Sequence, residues 1–398
     1  MARLPLPIAD LLRMLGWWRE AGLPIEAVRA LPDFTREELA AMARLPVRDL
    51  FLAAAFLHLA PRWESGELRE FANRTGLATL AGDSFDVDDL ASRVAARLGW
   101  RADAARAAVA SWADALAEMG ALSRHGGRYA ATGRSPPALG ARERAFFERE
   151  FAGEAAFYRA CLEALPEALA GRPRIDFSPA YEGLWAGVLG GPSARFVREL
   201  SLRFVAWNGK RVLDVGAGRG DGTEQILRTH PDASVVALDV TTAHRDVIEA
   251  RVAALEKETG RGYDLAIAPP DAWALGPYRG FGAPLPFDDG SFDGVLVALT
   301  DPFVPPEVAP FAYRDLARVL RPGGEVLLAS APRPERPRRF AQRDEVAAHL
   351  LFHELCERAV RGFHGLRAHD ELLELCSKAG FAPERHFEGM VWVLRKPP

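Results

Sequence analysis

The stretch Val212-Leu-Asp214-Val-Gly216-Ala-Gly218-Arg-Gly220-Asp221-Gly222-Thr223 places an apolar run directly before three alternate glycines. This pattern predicts a buried strand over Arg211 to Val215, a tight turn, and a helix over Asp221 to Thr229. Glycines at such a turn accept positive φ and leave main-chain N–H groups open to a ligand that a Cβ would keep away. The ligand is not expected to be a dinucleotide. That fingerprint requires G-x-G-x-x-G, and the position of its last glycine is taken by Asp221. Asp214, two residues before the first glycine, would also repel a phosphate and suits a cationic group.

Two later stretches extend the pattern. Ser234-Val-Val-Ala-Leu-Asp239 reads as a second buried strand ending in an acid. Leu285-Pro-Phe-Asp-Asp-Gly-Ser-Phe-Asp293 feeds a fourth strand, and Leu316 to Ser330 reads as a helix, a Pro-Gly-Gly turn and a fifth strand. Together these stretches resemble class I S-adenosylmethionine-dependent methyltransferases over roughly residues 195 to 398. The resemblance implies a Rossmann-like, seven-stranded α/β sheet and S-adenosylmethionine as cofactor. It also implies a cofactor site in which Gly216, Gly218 and Gly220 form the turn, Asp214 faces the methionine end and Asp239 faces the ribose. Relatives place an adenine-binding acid at the end of the third strand. Counting back from Leu285 puts Phe281 there. Alternatively, Tyr263 to Ala268 is the third strand, Asp271-Ala272 is the adenine pair, and Trp273 to Pro284 is an insertion; this second reading is preferred because it gives the adenine N–H donors an acceptor.

A chain of 398 residues has material for two domains. Its formal net charge of -4 argues against a protein built to neutralise phosphates. Cys161, Cys356 and Cys376 form no C-x-x-C pair and read as buried thiols in a reducing compartment. The first residues offer no signal-peptide core, and the run Leu50 to Ala60 is about half of the ~20 residues a membrane span needs. A cytoplasmic protein is expected.

The N-terminal part reads as helices Ile8 to Ala21, Pro24 to Ala30, Thr35 to Arg44 and Val47 to Ala60, divided at Pro and Gly. From Asp86 the pattern is helix, helix and a Gly126-Gly127 hairpin. This part is similar to the winged-helix dimerisation domain of small-molecule O-methyltransferases, which implies a homodimer. The expected division is a winged-helix domain over 1–135, a helical connection over 136–195 and the methyltransferase domain over 196–398. Winged helices also bind DNA, so a ligand-sensing regulator is the alternative of a different class. The second helix opposes it, carrying Asp103, Arg106, Asp114 and Glu118 as its only charges.

Relatives with this N-terminal domain commonly hold a general-base histidine just after the fourth strand. Here that place reads Ala298-Leu-Thr-Asp301, with no histidine. Candidates for the base are Asp301 and, in an insertion from Ala331 to Ala368, His349, His353 and His364. His349 and His353 share a helix face on a helix expected from Gln342 to Val360. They define no metal set, because no third ligand stands at a fixed spacing, and no metal is expected. The expected function is methyl transfer to a small-molecule acceptor, aromatic or polycyclic, at oxygen first, with carbon or nitrogen as the alternatives.

Overall fold

The computed structural model describes residues 8–23, 35–134, 138–172, 175–240, 244–269, 273–275, 278–334 and 344–398. The chain divides into two compact units. The first takes Met1–Asp33, Pro46–Ser193 and Arg333–Gly365; the second takes Phe34–Leu45, Ala194–Pro332 and Leu366–Pro398. Two excursions were not expected from sequence: the segment 34–45 belongs with the second unit, and the insertion 333–365 with the first.

The first unit is largely helical. Its longest helix is Val47–Thr75, which runs through Pro61 instead of stopping at Ala60 and closes at Gly76 with φ 79°. The reason is burial: Trp63, Leu68 and Phe71 continue the apolar face beyond the proline, and the packing they gain offsets the lost N–H bond. Helices Ala141–Glu150, Ala152–Leu169 and Asp344–Glu357 pack around it. Trp18 joins this core against Phe51, while Arg48 covers the ring of Trp17. Trp185 donates to the carbonyl of Asp176 and stacks on Phe177, so its part is packing within this unit.

In the same unit, helices Val87–Leu98 and Ala102–Glu118 precede a hairpin of β2 (Leu122–His125) and β3 (Arg128–Ala131). A short β1 (Ser84–Asp86) adds to β3, giving the order β1-β3-β2. Asp86 caps the first helix through the N–H groups of Asp88 and Asp89, and Gly99 ends it with φ 71°.

The second unit is built on a seven-stranded sheet. Its strands are β4 (Arg211–Val215), β5 (Ser234–Leu238), β6 (Asp264–Ile267), β9 (Phe292–Ala298), β10 (Leu320–Ala329), β11 (Ala382–His386) and β12 (Val391–Arg395); β7 (Ala274–Leu275) and β8 (Tyr278–Arg279) form a separate small hairpin. The order is β11-β12-β10-β9-β4-β5-β6. Strands β10, β9, β4, β5 and β6 are parallel to their neighbours, and β12 and β11 close one edge antiparallel. The third strand is therefore the Tyr263 to Ala268 alternative. The central strands read as nearly continuous apolar runs because both faces are covered. Leu213, Val215, Val236, Val295, Val297, Val326 and Leu328 carry the main core of this unit with Trp392 and Leu394. Among the described residues no helix is long and apolar enough to cross a membrane.

Candidate functional site

In an open parallel sheet a ligand binds outside the carboxyl ends of the strands, where connections diverge to the two sides. Here that edge is made by Val215, Leu238 and Ala298, at the ends of β4, β5 and β9. The glycine turn leaves it. Gly216 has φ 72°, Gly218 φ 51° and Gly220 φ 80°. Two of the three also answer close packing. A Cβ on Gly216 would lie 2.8 Å from Thr300, and one on Gly220 2.9 Å from Ile248. A Cβ on Gly218 would meet nothing closer than 3.9 Å, so this glycine borders open space. The N–H groups of Gly216 and Ala217 bond to the carbonyl of Leu238, which ties the turn to β5.

Asp239 follows β5 and is half-buried; its Oδ2 accepts the N–H of Gly218 at 2.9 Å. The acid expected at the ribose and the loop expected beneath the ligand are thus neighbours. Asp214 is buried under the first turn of the helix Asp221–Thr229, where Oδ2 accepts the hydroxyl of Thr223 at 2.7 Å. A Cβ on Gly222 would come within 3.0 Å of the same oxygen. Burial pushes the Asp214 carboxyl up to about 6, against the Thr223 hydrogen bond and the nearby Arg198. This contact joins the end of β4 to the start of the helix that leaves the turn. Asp271, the preferred adenine partner, lies outside the described residues.

After β9, Leu299 has φ 58°, a conformation that a bulky residue rarely adopts and that tends to be stored at functional sites. Sequence carries no sign of it. Asp301, two residues on, is not presented as a base. Its Oδ1 accepts both the Tyr313 hydroxyl at 2.8 Å and Arg367 Nε at 3.0 Å, and the carboxylate is shut away from solvent. One oxygen of this buried carboxylate is thus already engaged by a phenol and a guanidinium.

The histidines of the insertion belong to the first unit. His349 Nδ1 lies 2.5 Å from Oε1 of Glu64, a residue buried on the helix Val47–Thr75. Its ring packs edge-on against Phe56 and Tyr158. Nε2 of His349 makes no hydrogen bond among the described residues, and Glu64 Oε2 is buried without a partner. His353 shares its Nδ1 with the Tyr158 hydroxyl at 3.1 Å and faces Glu357 at 3.4 Å. Burial drives His353 down to about 3 and Glu357 up to about 8, so both are neutral near pH 7. A lowered value opposes a base role for His353, since a group reluctant to take a proton is a weak base. His364 is exposed to solvent. Glu64 was missed by sequence reading because nothing local connects it to a histidine 285 positions away.

On the hairpin of the first unit Arg124 pairs with Asp114, and on the preceding helix Arg106 pairs with Asp88.

With this geometry in view, the comparisons are coherent. Residues 212–324, from β4 to the turn inside β10, match the methyltransferase domain family. The O-methyltransferase resE of Aspergillus sclerotiorum is 27% identical over 193 residues, 47% of this chain and 60% of that protein. The chain thus spans about 60% of the length of the first curated relatives it matches. Among solved structures, the DszA carbon methyltransferase has a TM-score of 0.55 at 17% identity, covering 93% of this chain and 95% of that one. The O-methyltransferase family 2 protein from Planctomyces limnophilus, in complex with apigenin, has a TM-score of 0.51 at 16% identity, covering 85% and 96%. At such identities these two likenesses speak for the fold alone.

The matched segment 212–324 lies on a sheet with the strand order of the class I methyltransferase fold, and S-adenosylmethionine is the methyl donor which that class implies. The residues present suit it. A carboxylate beside a glycine turn that borders open space at Gly218 fits a ribose diol, and the acidic surroundings would disfavour a pyrophosphate.

Proposed function

We propose that this protein transfers the methyl group of S-adenosylmethionine to a small-molecule acceptor, at oxygen first. The observation that carries the reading is the Gly218 N–H to Asp239 contact at the carboxyl edge of the sheet, inside the segment that matches the methyltransferase family. Asp239 takes the ribose hydroxyls, the turn Gly216 to Gly220 lies along the donor, and Asp214 keeps that turn in place through Thr223. Asp271 remains the proposed adenine partner.

The sulfonium supplies an already activated methyl group. The protein's task is to align an acceptor with it and to exclude water, and a base is required only if the acceptor carries a proton. His349 is the proposed base and Glu64 its positioning residue: a carboxylate on Nδ1 fixes the tautomer and leaves Nε2 to accept a proton. Carbon is the second reading, kept open by the absence of a histidine from Ala298-Leu-Thr-Asp301 after β9.

The N-terminal arrangement of two helices and a three-stranded sheet supports a winged-helix module, and with it a cytoplasmic homodimer. The apolar face of Val47 to Ala60 is already spent inside the unit, since Phe51, Leu52, Phe56 and Leu59 are buried there. Leu15 on the helix Ile8–Ala21 stays 49% exposed and is the better anchor for a partner. Light scattering on wild type and Leu15→Glu tests this: a dimer that the substitution weakens is expected, and a wild-type monomer would overturn it.

The function itself is tested by calorimetry with S-adenosylhomocysteine, followed by mass spectrometry on phenolic, carboxylic and 1,3-dicarbonyl acceptors with labelled donor. Binding and a product gaining one methyl are expected, and NMR separates methoxy from C-methyl. Failure to bind S-adenosylhomocysteine together with tight NAD binding would overturn the reading. Salt-sensitive DNA binding without methyl transfer would favour a regulator.

A further inference from the structure

Away from the glycine turn, the second unit brings together three groups from the two ends of the chain. Glu37 stands in the first turn of the helix Arg36–Met42, and Glu384 and His386 are alternate residues of the edge strand β11. Residues two apart on a strand share a face. One ligand atom from each of the three lies within 4.8 Å of the others. The neighbouring Glu38 makes this juxtaposition a built one. Its Oε2 accepts the N–H of Thr35 and closes a capping box, while its Oε1 accepts the N–H of Phe387 at 2.6 Å. The start of the helix is thereby pinned to the residue after His386, which holds Glu37 opposite β11.

His386 is the group that points to a ligand. Its side chain is 6% exposed, its ring stacks on Phe204 at 4.0 Å between centroids, and Nε2 faces Glu384 Oε1 at 3.7 Å. That is too long for a hydrogen bond, and neither ring nitrogen makes one among the described residues. A largely buried imidazole without a hydrogen bond keeps a ring lone pair available to a metal ion. We propose that Glu37, Glu384 and His386 form a divalent transition-metal site, zinc first, that fastens the helix Arg36–Met42 to the edge of the sheet.

One nitrogen and two carboxylate oxygens suit zinc, which takes such mixed sets and completes its four positions with water. Metal–ligand distances of about 2.0 to 2.2 Å place the ligand atoms roughly 3.3 Å apart. The three groups must close by up to about 1.5 Å, and Glu37, exposed to solvent, has the freedom to make most of that move. Arg395 competes for the site through Glu384 Oε2 at 3.2 Å, but it also bonds Glu325 and can stay there when Glu384 turns to a metal. The clip would close a very long loop, where a crosslink has most conformational freedom to remove.

The test uses the full chain stripped with chelator and titrated with Co²⁺, read by visible ligand-field bands, and with Zn²⁺, read by calorimetry. One equivalent of each ion should bind, Zn²⁺ should displace Co²⁺, and Zn²⁺ should raise the thermal midpoint. Glu37→Gln and His386→Asn should each weaken binding at least tenfold. Glu37 is exposed, so its variant folds even if the buried substitution does not. Wild type without ligand-field bands and without stoichiometric heat, or a Glu37→Gln variant that binds as wild type does, would overturn the site.

Discussion

Arg367 donates from Nε to Oδ1 of Asp301 across 3.0 Å, and both side chains are withdrawn from solvent. The same guanidinium donates to the carbonyl of Val304 and to Glu371, and Tyr313 completes the shell of Asp301. The pair ties the end of β9 to the segment that begins the last helix of the chain. Removing one member of a buried ion pair strands the other. Arg367→Met is therefore expected to cost roughly 3 to 5 kcal/mol in urea unfolding. Asp301→Asn should cost less and, per folded molecule, keep turnover within a few-fold. A total loss of turnover in folded Asp301→Asn would restore Asp301 as the base.

Asp239 is expected to dominate donor affinity. Asp239→Ala should weaken S-adenosylhomocysteine by on the order of 1.5 to 3 kcal/mol, about ten- to a hundredfold, as the loss of charged hydrogen bonds does. Calorimetry decides it, and wild-type affinity in the variant would remove the ribose assignment. Gly218→Ala supplies a second check, because its surroundings leave room for a methyl group and only backbone strain and ligand approach oppose it.

The glycine turn and its two acids were legible because each leaves a local mark: a run of apolar residues, glycines in alternation, an acid at the strand end. The orientation of Asp214 was not, since the same acid can face a ligand or a helix terminus, and only Thr223 in the folded chain decides. Pro61 misled for a related reason. A proline is read as a stop, yet the burial of Trp63, Leu68 and Phe71 carries the helix past it to Thr75. Glu64 and Glu37 were invisible as partners of His349 and His386 because those contacts join distant segments, and a lone glutamate on a helix reads as solvated. The exchange of segments 34–45 and 333–365 between the two units has the same origin in long-range packing.

Asp214 gives a pH dependence with a definite sign. Its carboxyl stands at about 6 in the folded protein, raised chiefly by burial, against an unfolded value of about 3.9. A raised carboxyl favours folding when protonated. Its contribution is complete below about pH 3.9 and is lost as pH rises through about 6, roughly 2 to 3 kcal/mol in total. Asp214→Asn should therefore lack this downward component when unfolding free energy is measured from pH 4 to 6.5. Parallel curves for wild type and variant would show that burial does not perturb this acid.

The final prediction concerns the pair Glu64 and His349. If proton removal from an oxygen acceptor depends on this imidazole, His349→Ala should lower kcat by on the order of 10² to 10⁴, the usual yield of a positioned base. Glu64→Gln should produce a smaller loss in kcat, because the ring keeps its basic nitrogen but loses the carboxylate that fixes its tautomer; Glu64→Asp should recover part of it. A structural role alone would lower the thermal midpoint and leave kcat per folded molecule unchanged. Donor affinity supplies the control, since the glycine turn and Asp239 belong to the other unit and calorimetric binding of S-adenosylhomocysteine should not move. An acceptor that arrives without a proton to lose, such as a preformed enolate carbon, would be methylated by His349→Ala at the wild-type rate. A panel in which phenols lose turnover and enolates keep it would therefore identify both the base and the acceptor atom, and equal turnover on every acceptor would remove His349 from the chemistry.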